Sequence, residues 1–251
     1  MMELWSLVLL ALLFFVTSIV GVVTGSNSLI TVPVMFQFGI DEKVAVATNM
    51  FGLTFMAIGG TIPFVRQGSI EFKKLTPLVI LTIVGSAIGA LLVGVITNQS
   101  IKLMVTIAMI VMVIFTFLVP NRASNESGLE NRNISPLVYV LTFLLAIYGG
   151  LYSGGYVTVL TASFVALAAM SFSGAVGATK FINVFSSGIA TLIFMWQGLV
   201  DYRLGIILGI AMFAGAFVGA HYATRMNEIW LKRIFLATVF ILAIKMLFDL
   251  L

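Results

Sequence analysis

Eight apolar runs, each close to bilayer-spanning length, dominate this chain. They lie at about 4–23, 44–65, 75–96, 101–119, 136–152, 174–197, 203–222 and 229–248. A spanning helix needs roughly 20 apolar residues. Lipid offers the backbone no hydrogen bonds, so such runs fold as helices that satisfy their own amides. The fold class expected is therefore an all-α polytopic membrane protein. Composition agrees: the 251 residues are 61% hydrophobic and 9% charged, against about 25% charged in a soluble domain. A soluble binding module is excluded, and the length leaves room for several spans but no sizeable soluble domain. A net charge of +4 concerns loop topology and anionic lipid headgroups before nucleic acid. The absence of cysteine excludes thiol catalysis and Cys-ligated metals. Met1-Met2-Glu3 supplies neither a basic segment nor a small-residue cleavage site, so the first run is expected to be a mature span. Trp5, Trp196 and Trp230 fall near run ends, where interfacial aromatics belong.

Two places break the pattern. In "GVVTGSNSLITVP" (Gly21–Pro33) the polar cluster Thr24-Gly25-Ser26-Asn27-Ser28 stands inside apolar sequence. A short apolar stretch, about 26–39, follows it, and a second, about 154–170, follows Gly150–Gly154. The first would rise only ~21 Å as a helix, short of the ~30 Å hydrocarbon core. The remaining polar piece, Asn121–Asn133, reads as a linker.

The two halves are alike. Gly21-x-x-x-Gly25 recurs as Gly150-x-x-x-Gly154, Ala47-Thr48 as Ala178-Thr179, and Gln67-Gly68 as Gln197-Gly198. Gly85-x-x-x-Gly89-Ala90 recurs as Gly215-x-x-x-Gly219-Ala220, and Asn98 as Asn227. Five matches in order, at an offset of 129 to 131 residues, indicate an internal repeat. The expected organisation is a first transmembrane repeat at 1–120, a loop at 121–135 and a second repeat at 136–251. Each repeat holds about four full helices and one broken short helix.

Charge orients the repeats. If the short stretches cross, each repeat has five crossings, ten in all, and the halves are inverted. One side then collects Arg66, Lys73, Lys74, Arg122, Arg132, Arg225, Lys232 and Arg233, and the other keeps Lys43, Lys102 and Arg203. If the short stretches dip and return, the halves are parallel and the split is six against five. Positive residues gather on the cytoplasmic side, which favours inversion with the N-terminus outside.

Unwound backbone is tolerated at membrane depth only where it lines a cavity or is buried in protein. Paired, glycine-interrupted short helices point to a transporter's binding site. Half-helices starting near Ser26 and Gly155 would present amides and positive dipole ends, which suit an anion. The alternative role for these glycines is close helix packing. That role is expected for Gly85, Gly89, Gly215 and Gly219, which adjoin no polar cluster. Lys180 sits inside the run 174–197, and an ionisable residue there usually faces a cavity; the alternative is snorkelling to the interface. Its counterpart in the first half is Asn49, beside Thr48, and Asn183 shares its helix face one turn on. The candidate substrate-binding set is thus Thr24, Gly25, Ser26, Asn27, Thr48, Asn49, Ser153, Gly154, Gly155, Thr179, Lys180 and Asn183. Lys245, near the end of its run, is expected to snorkel, and the lone His221 to be interfacial.

An intramembrane hydrolase would need a nucleophile and base or paired acids. No acid lies well inside a run, and Ser153 with Lys180 is the one conceivable dyad. No enzyme activity, metal or cofactor is expected. A passive anion channel shares half-helix sites with carriers and stays open, as does a purely structural adaptor.

The chain resembles the sulfite exporter TauE/SafE family of membrane permeases along nearly its whole length. The resemblance rests on "GVVTGSNSLITVPVM", "VAVATN" (Val44–Asn49), "GGLYSGG" (Gly149–Gly155) and "GAVGATKFIN" (Gly174–Asn183). The segments "RQGSI" and "WQGLV", each followed by a Gly-x-x-x-Gly-Ala helix, carry it further. It implies a multi-pass protein of the cell membrane that exports sulfite, organosulfonates or related small organic anions. The partners implied are that anion and the lipid bilayer, with a homodimer left open.

Overall fold

A computed structural model describes residues 4–25, 27–118, 135–227, 229, 230, 233 and 237, with the side chains of 112–118 outside that description. Ser26, all but the last residue of the 121–135 loop, and most of the run 229–248, Lys245 included, lie outside the described residues. Among the described residues the chain forms α1 (Leu4–Thr24), α2 (Ser28–Gln37), α3 (Glu42–Arg66), α4 (Phe72–Val95), α5 (Asn98–Leu118), α6 (Pro136–Leu151), α7 (Tyr156–Leu167), α8 (Phe172–Trp196) and α9 (Tyr202–Ala223), and no strand. Five of these helices, α1, α3, α4, α8 and α9, are long and apolar enough to cross a membrane. The expected runs 101–119 and 136–152 form α5 and the 16-residue α6.

Local signals explain the boundaries. The Asp41 carboxylate accepts from the Lys43 and Val44 amides and starts α3. Ser171 accepts from the Gly174 amide at the start of α8, and Asp201 from the Leu204 amide at the start of α9. Such caps satisfy amides that the first turn leaves without partners. The repeated Gln-Gly pairs stop α3 and α8 in the same way. Gly68 and Gly198 take positive φ (72° and 70°), and the next amides, Ser69 and Leu199, bond back to the Phe64 and Phe194 carbonyls. This is the glycine-dependent C-terminal motif.

Contacts between helices fix their directions. Along α3 and α9, Phe51 meets Gly205, Phe55 meets Gly209, and Gly60 meets Ala216. At their ends Gln67 Nε2 donates to the Thr224 carbonyl (2.8 Å), so the two are parallel. The corresponding pair, α8 and α4, is also parallel, with Ser186 Oγ 2.7 Å from Ser86 Oγ and Gln197 Nε2 reaching the Ala90 carbonyl (3.4 Å). Between α3 and α8 the order reverses: Thr54 meets Thr191, Gly60 the Lys180 stem, and Phe64 Gly177. These two helices are antiparallel. Within the first half, Asn27 reaches Met56 while Thr31 reaches Asn49, so α2 runs back along α3. Asn98 donates to the Asp41 carboxylate, so α5 begins at the face where α3 begins. The chain thus reverses direction at every step from α1 to α5.

The Gly-x-x-x-Gly-Ala motifs are packing sites. Gly85 and Gly89 of α4 lie against Phe143, Ala146 and Ile147 of α6, and Gly215 and Gly219 of α9 lie against Phe15, Ser18 and Ile19 of α1. A Cβ on Gly89 would run into the Ile147 carbonyl oxygen, and one on Gly219 into that of Ile19. Close backbone approach of this kind drives helix association where lipid supplies no hydrophobic force. Gly89→Val and Gly219→Val are each expected to destabilise by about 1–3 kcal/mol from overpacking. Thermal unfolding of the purified protein in detergent measures it, and an unchanged midpoint would contradict the contact. The outward faces are apolar, as at Leu9, Leu12 and Val16 on α1 and Ile80, Val84 and Leu91 on α4, all exposed; these suit contact with acyl chains.

Candidate anion site at the helix breaks

The first break ends α1 at Thr24. Gly25 takes φ +73°, a left-handed backbone that side chains disfavour. Here a Cβ would also sit 2.7 Å from Val157 Cβ and 2.8 Å from the Thr158 amide nitrogen. The chain re-enters helix at Ser28. In the second break Tyr152 is extended, and Gly155 (φ +79°) precedes α7. The Gly154 carbonyl accepts from Tyr148 Oη, and a Cβ on Gly154 would collide with the Tyr152 ring.

The two breaks are tied across the halves. Thr158 Oγ1 donates to the Thr24 carbonyl (2.6 Å), and Tyr152 Oη to the Ser28 carbonyl (2.9 Å). Lys180 Nζ donates to the Gly21 carbonyl (3.2 Å). Donors from the second half thus take carbonyls of the first break.

Between the breaks lies a small cavity. Its polar lining includes Asn27, Ser28, Ser153, Lys180 and Asn183; Gly21 and Gly25 also line it, and Leu53, Met56, Ala57 and Val157 form its apolar wall. The starts of both α2 and α7 abut it, so two positive helix ends converge on one place. The space open to the centre of a water-sized sphere is about 10 Å³, room for about one water. A larger recess, about 460 Å³, lies between Leu7, Phe38 and Arg203 and includes none of the break residues.

Lys180 is 2% exposed and, among the described residues, is the one charged residue lining the cavity. Among the described residues the acids Asp41, Glu42, Glu71 and Asp201 all stand in loops or at helix starts, and Glu71 pairs with Lys74 (2.6 Å). A buried ammonium with one carbonyl partner and no carboxylate lacks compensation. Among the described residues the buried side-chain oxygens of Asn27 and Asn183 find no hydrogen-bond partner. Asn27 Nδ2 makes only long contacts to Ser18 Oγ and Met56 Sδ, both 3.4 Å.

Of the residues singled out from sequence, Gly25, Asn27, Ser153, Lys180 and Asn183 line this cavity. Asn49 stands behind it: Nδ2 donates to Ser28 Oγ (2.9 Å), and Oδ1 accepts from Thr31 Oγ1 (2.7 Å), which holds the start of α2. Thr48 Oγ1 accepts from the Asp201 amide (3.0 Å), and Thr179 Oγ1 donates to the Val176 carbonyl (3.0 Å) and lies 3.0 Å from Thr161 Oγ1. Thr24, Gly154 and Gly155 shape the breaks, and Ser26 lies outside the described residues. Leu53 and Met56 follow Asn49 by four and seven residues, on one helix face; that spacing was the available signal for them. Tyr152 and Thr158 carry no local signal, because their partners are 124 and 134 residues away.

Known protein sequences align with this chain along nearly its whole length. The profile described as sulfite exporter TauE/SafE matches residues 9–246. "Probable membrane transporter protein ORF9" of Sinorhizobium sp. is 28% identical over 246 residues, covering 96% of this chain and 93% of that protein. "Probable membrane transporter protein YfcA" of Escherichia coli (strain K12) is 23% identical, covering 96% and 90%. "Probable membrane transporter protein YdhB" of Bacillus subtilis (strain 168) is 24% identical, covering 96% and 100%. No solved structure matches the chain. With the profile spanning both breaks and the helices that surround them, the chain belongs to the sulfite exporter TauE/SafE family, as a multi-pass membrane transporter.

Proposed function

We propose that the protein carries small anions, sulfite and organosulfonates among them, by alternating access around the cavity between the two breaks. The observation that carries this reading is Lys180: buried, without a carboxylate partner among the described residues, and facing the starts of two short helices. The small cavity supports an occluded state, from which the walls must part to admit an anion. The ties from Thr158 and Tyr152 to the first break would then be made and broken as one half moves on the other.

Two inverted repeats, 1–120 and 136–251 joined by 121–135, with eight full spans and two crossing short helices, accord with the antiparallel run of the corresponding helices α3 and α8. Arg66, Lys73, Lys74 and Arg225 stand at the ends of α3 and α9 or the start of α4, and Lys43, Lys102 and Arg203 at the opposite ends. Positive residues mark the cytoplasmic side, so the first group faces inward. Cysteines placed at Ser69 and Asn227 are expected to label from that one side in a chain with no native cysteine; labelling from opposite sides would overturn the orientation. Export needs no coupling ion in principle, since an inside-negative potential drives anions outward at ~2.3 kcal/mol per charge per 100 mV. The test of substrate is flux of sulfite, thiosulfate, alkanesulfonates and short carboxylates in proteoliposomes. Saturable flux of at least one sulfur anion is expected, and flux of none would overturn the proposal.

A further inference from the structure

We propose that the bundle of α4, α6, α7 and α8 binds water at a site of its own, held by the hydroxyls of Thr82, Thr142 and Tyr156. The site is distinct from the cavity between the breaks, which none of the three lines. It does not depend on the transport reading.

Thr82, Thr142 and Tyr156 are each 0% exposed. Among the described residues none of their three hydroxyls has a hydrogen-bond partner. Three helices bring them to one place. Tyr156 Oη, from α7, is turned toward Thr82 of α4 and Ser186 of α8, yet it closes a hydrogen bond with neither. The position of Thr142 follows from the register of α6 on α4. Gly85 lies against Phe143, Ala146 and Ile147, and Gly89 against Ile147 and Leu151, so the two helices run parallel. Ser86 Oγ donates to the Ala146 carbonyl (3.1 Å) and lies 2.7 Å from Ser186 Oγ. One turn earlier on each helix stand Thr82 and Thr142, which therefore share a level of the interface.

A buried hydroxyl without a partner forfeits the hydrogen bonds it made to solvent, and native cores rarely leave such groups unpaired. Polar groups that gather without touching are those that a water bridges, and a buried water takes about three partners. Each hydroxyl can donate or accept, which matches the two donors and two acceptors of water. A cation suits the place less. The described acids stand in loops or at helix starts, and three neutral hydroxyls do not compensate a buried charge. Helix packing does not require these hydroxyls either. The contact of α9 with α1 is built on the glycines that match those between α4 and α6. There the positions of Thr82, Ser86 and Thr142 are taken by Met212, Ala216 and Leu13. Tyr156 is the first residue of α7, directly after Gly155. Water that joins it to Thr82 and Thr142 anchors the start of α7, and with it the second break, on α4 and α6.

The experiment is a structure of the full-length wild-type protein in lipid nanodiscs, at a resolution that shows ordered water, together with the melting midpoints of Thr82→Val, Thr142→Val and Tyr156→Phe. Expected is a density peak within hydrogen-bond reach, about 2.7–3.2 Å, of at least two of the three oxygens. Each substitution keeps the shape of the side chain and removes one ligand, so each midpoint is expected to fall by a few degrees. Thr82→Val and Thr142→Val combined should lose less than the sum of the two, since both hold the same water; fully additive losses would overturn the shared site. No peak there, in a map that shows water elsewhere, would also overturn it. So would midpoints that hold or rise, the result of replacing a dry, unpaired hydroxyl with carbon. A wild-type midpoint that rises with sodium or potassium over choline, and no longer does so in Tyr156→Phe, would overturn water in favour of a cation.

Discussion

Lys180→Met is expected to weaken binding of a transported anion by about tenfold or more, a loss of at least ~1.5 kcal/mol from one charge-assisted hydrogen bond. The substitution keeps an apolar stem against Gly60, whose added Cβ would lie 3.9 Å from Lys180 Cδ, and it removes the ammonium. Its effect on folding should have the opposite sign. A buried cation with one carbonyl partner is destabilising in itself, so the Met variant is expected to be as stable as wild type or more so. Lys180→Arg should bind with intermediate affinity, because the planar guanidinium keeps the charge and needs more room beside Gly21 and Gly60. Anion affinity and thermal stability measured on the same detergent preparations separate the two effects. A Met variant that binds normally would remove this lysine from recognition.

The second large effect is expected at Gly25. Gly25→Ala places a side chain on a backbone at φ +73°, which costs about 1–2 kcal/mol. It also drives a Cβ to 2.7 Å from Val157 Cβ and 2.8 Å from the Thr158 nitrogen, for about 1–3 kcal/mol more. The strain falls on the segment that carries the Thr158–Thr24 tie and the start of α2. Transport should be lost even where folded protein is recovered. Gly188→Ala is the control: it lies in α8, and nothing stands within 4 Å of the added Cβ, so its flux should match wild type. Equal activity in the two variants would return Gly25 to ordinary helix packing.

Much of the helical layout was legible because apolar run length and turn chemistry are local. The runs 44–65, 75–96 and 203–222 correspond to α3 (Glu42–Arg66), α4 (Phe72–Val95) and α9 (Tyr202–Ala223). The short stretches after the glycine breaks correspond to α2 and α7. Lys180 was conspicuous as a charge inside an apolar run, and its burial bears on that anomaly directly. What the chain hides is which side of a helix a hydroxyl faces. Thr48 and Thr179 adjoin Asn49 and Lys180 in sequence, yet their hydroxyls engage the Asp201 amide and Thr161. The apolar wall was legible only by position: Leu53 and Met56 look like any span residue, and only their spacing of four and seven from Asn49 puts them on its helix face. The ties from Tyr152 and Thr158 depend on how one half sits on the other, which no local pattern encodes.

The central claim is that an anion binds between the breaks and is handed across by a conformational exchange. Counterflow tests this most directly. Proteoliposomes are loaded with an unlabelled transported sulfur anion, and uptake of the same labelled anion from outside is followed with the potential clamped at zero. The account predicts that internal anion accelerates labelled uptake, transiently above equilibrium, and that Lys180→Met and Gly25→Ala abolish the effect. Uptake that ignores the internal anion and rises linearly with external concentration would contradict it and indicate a passive pore.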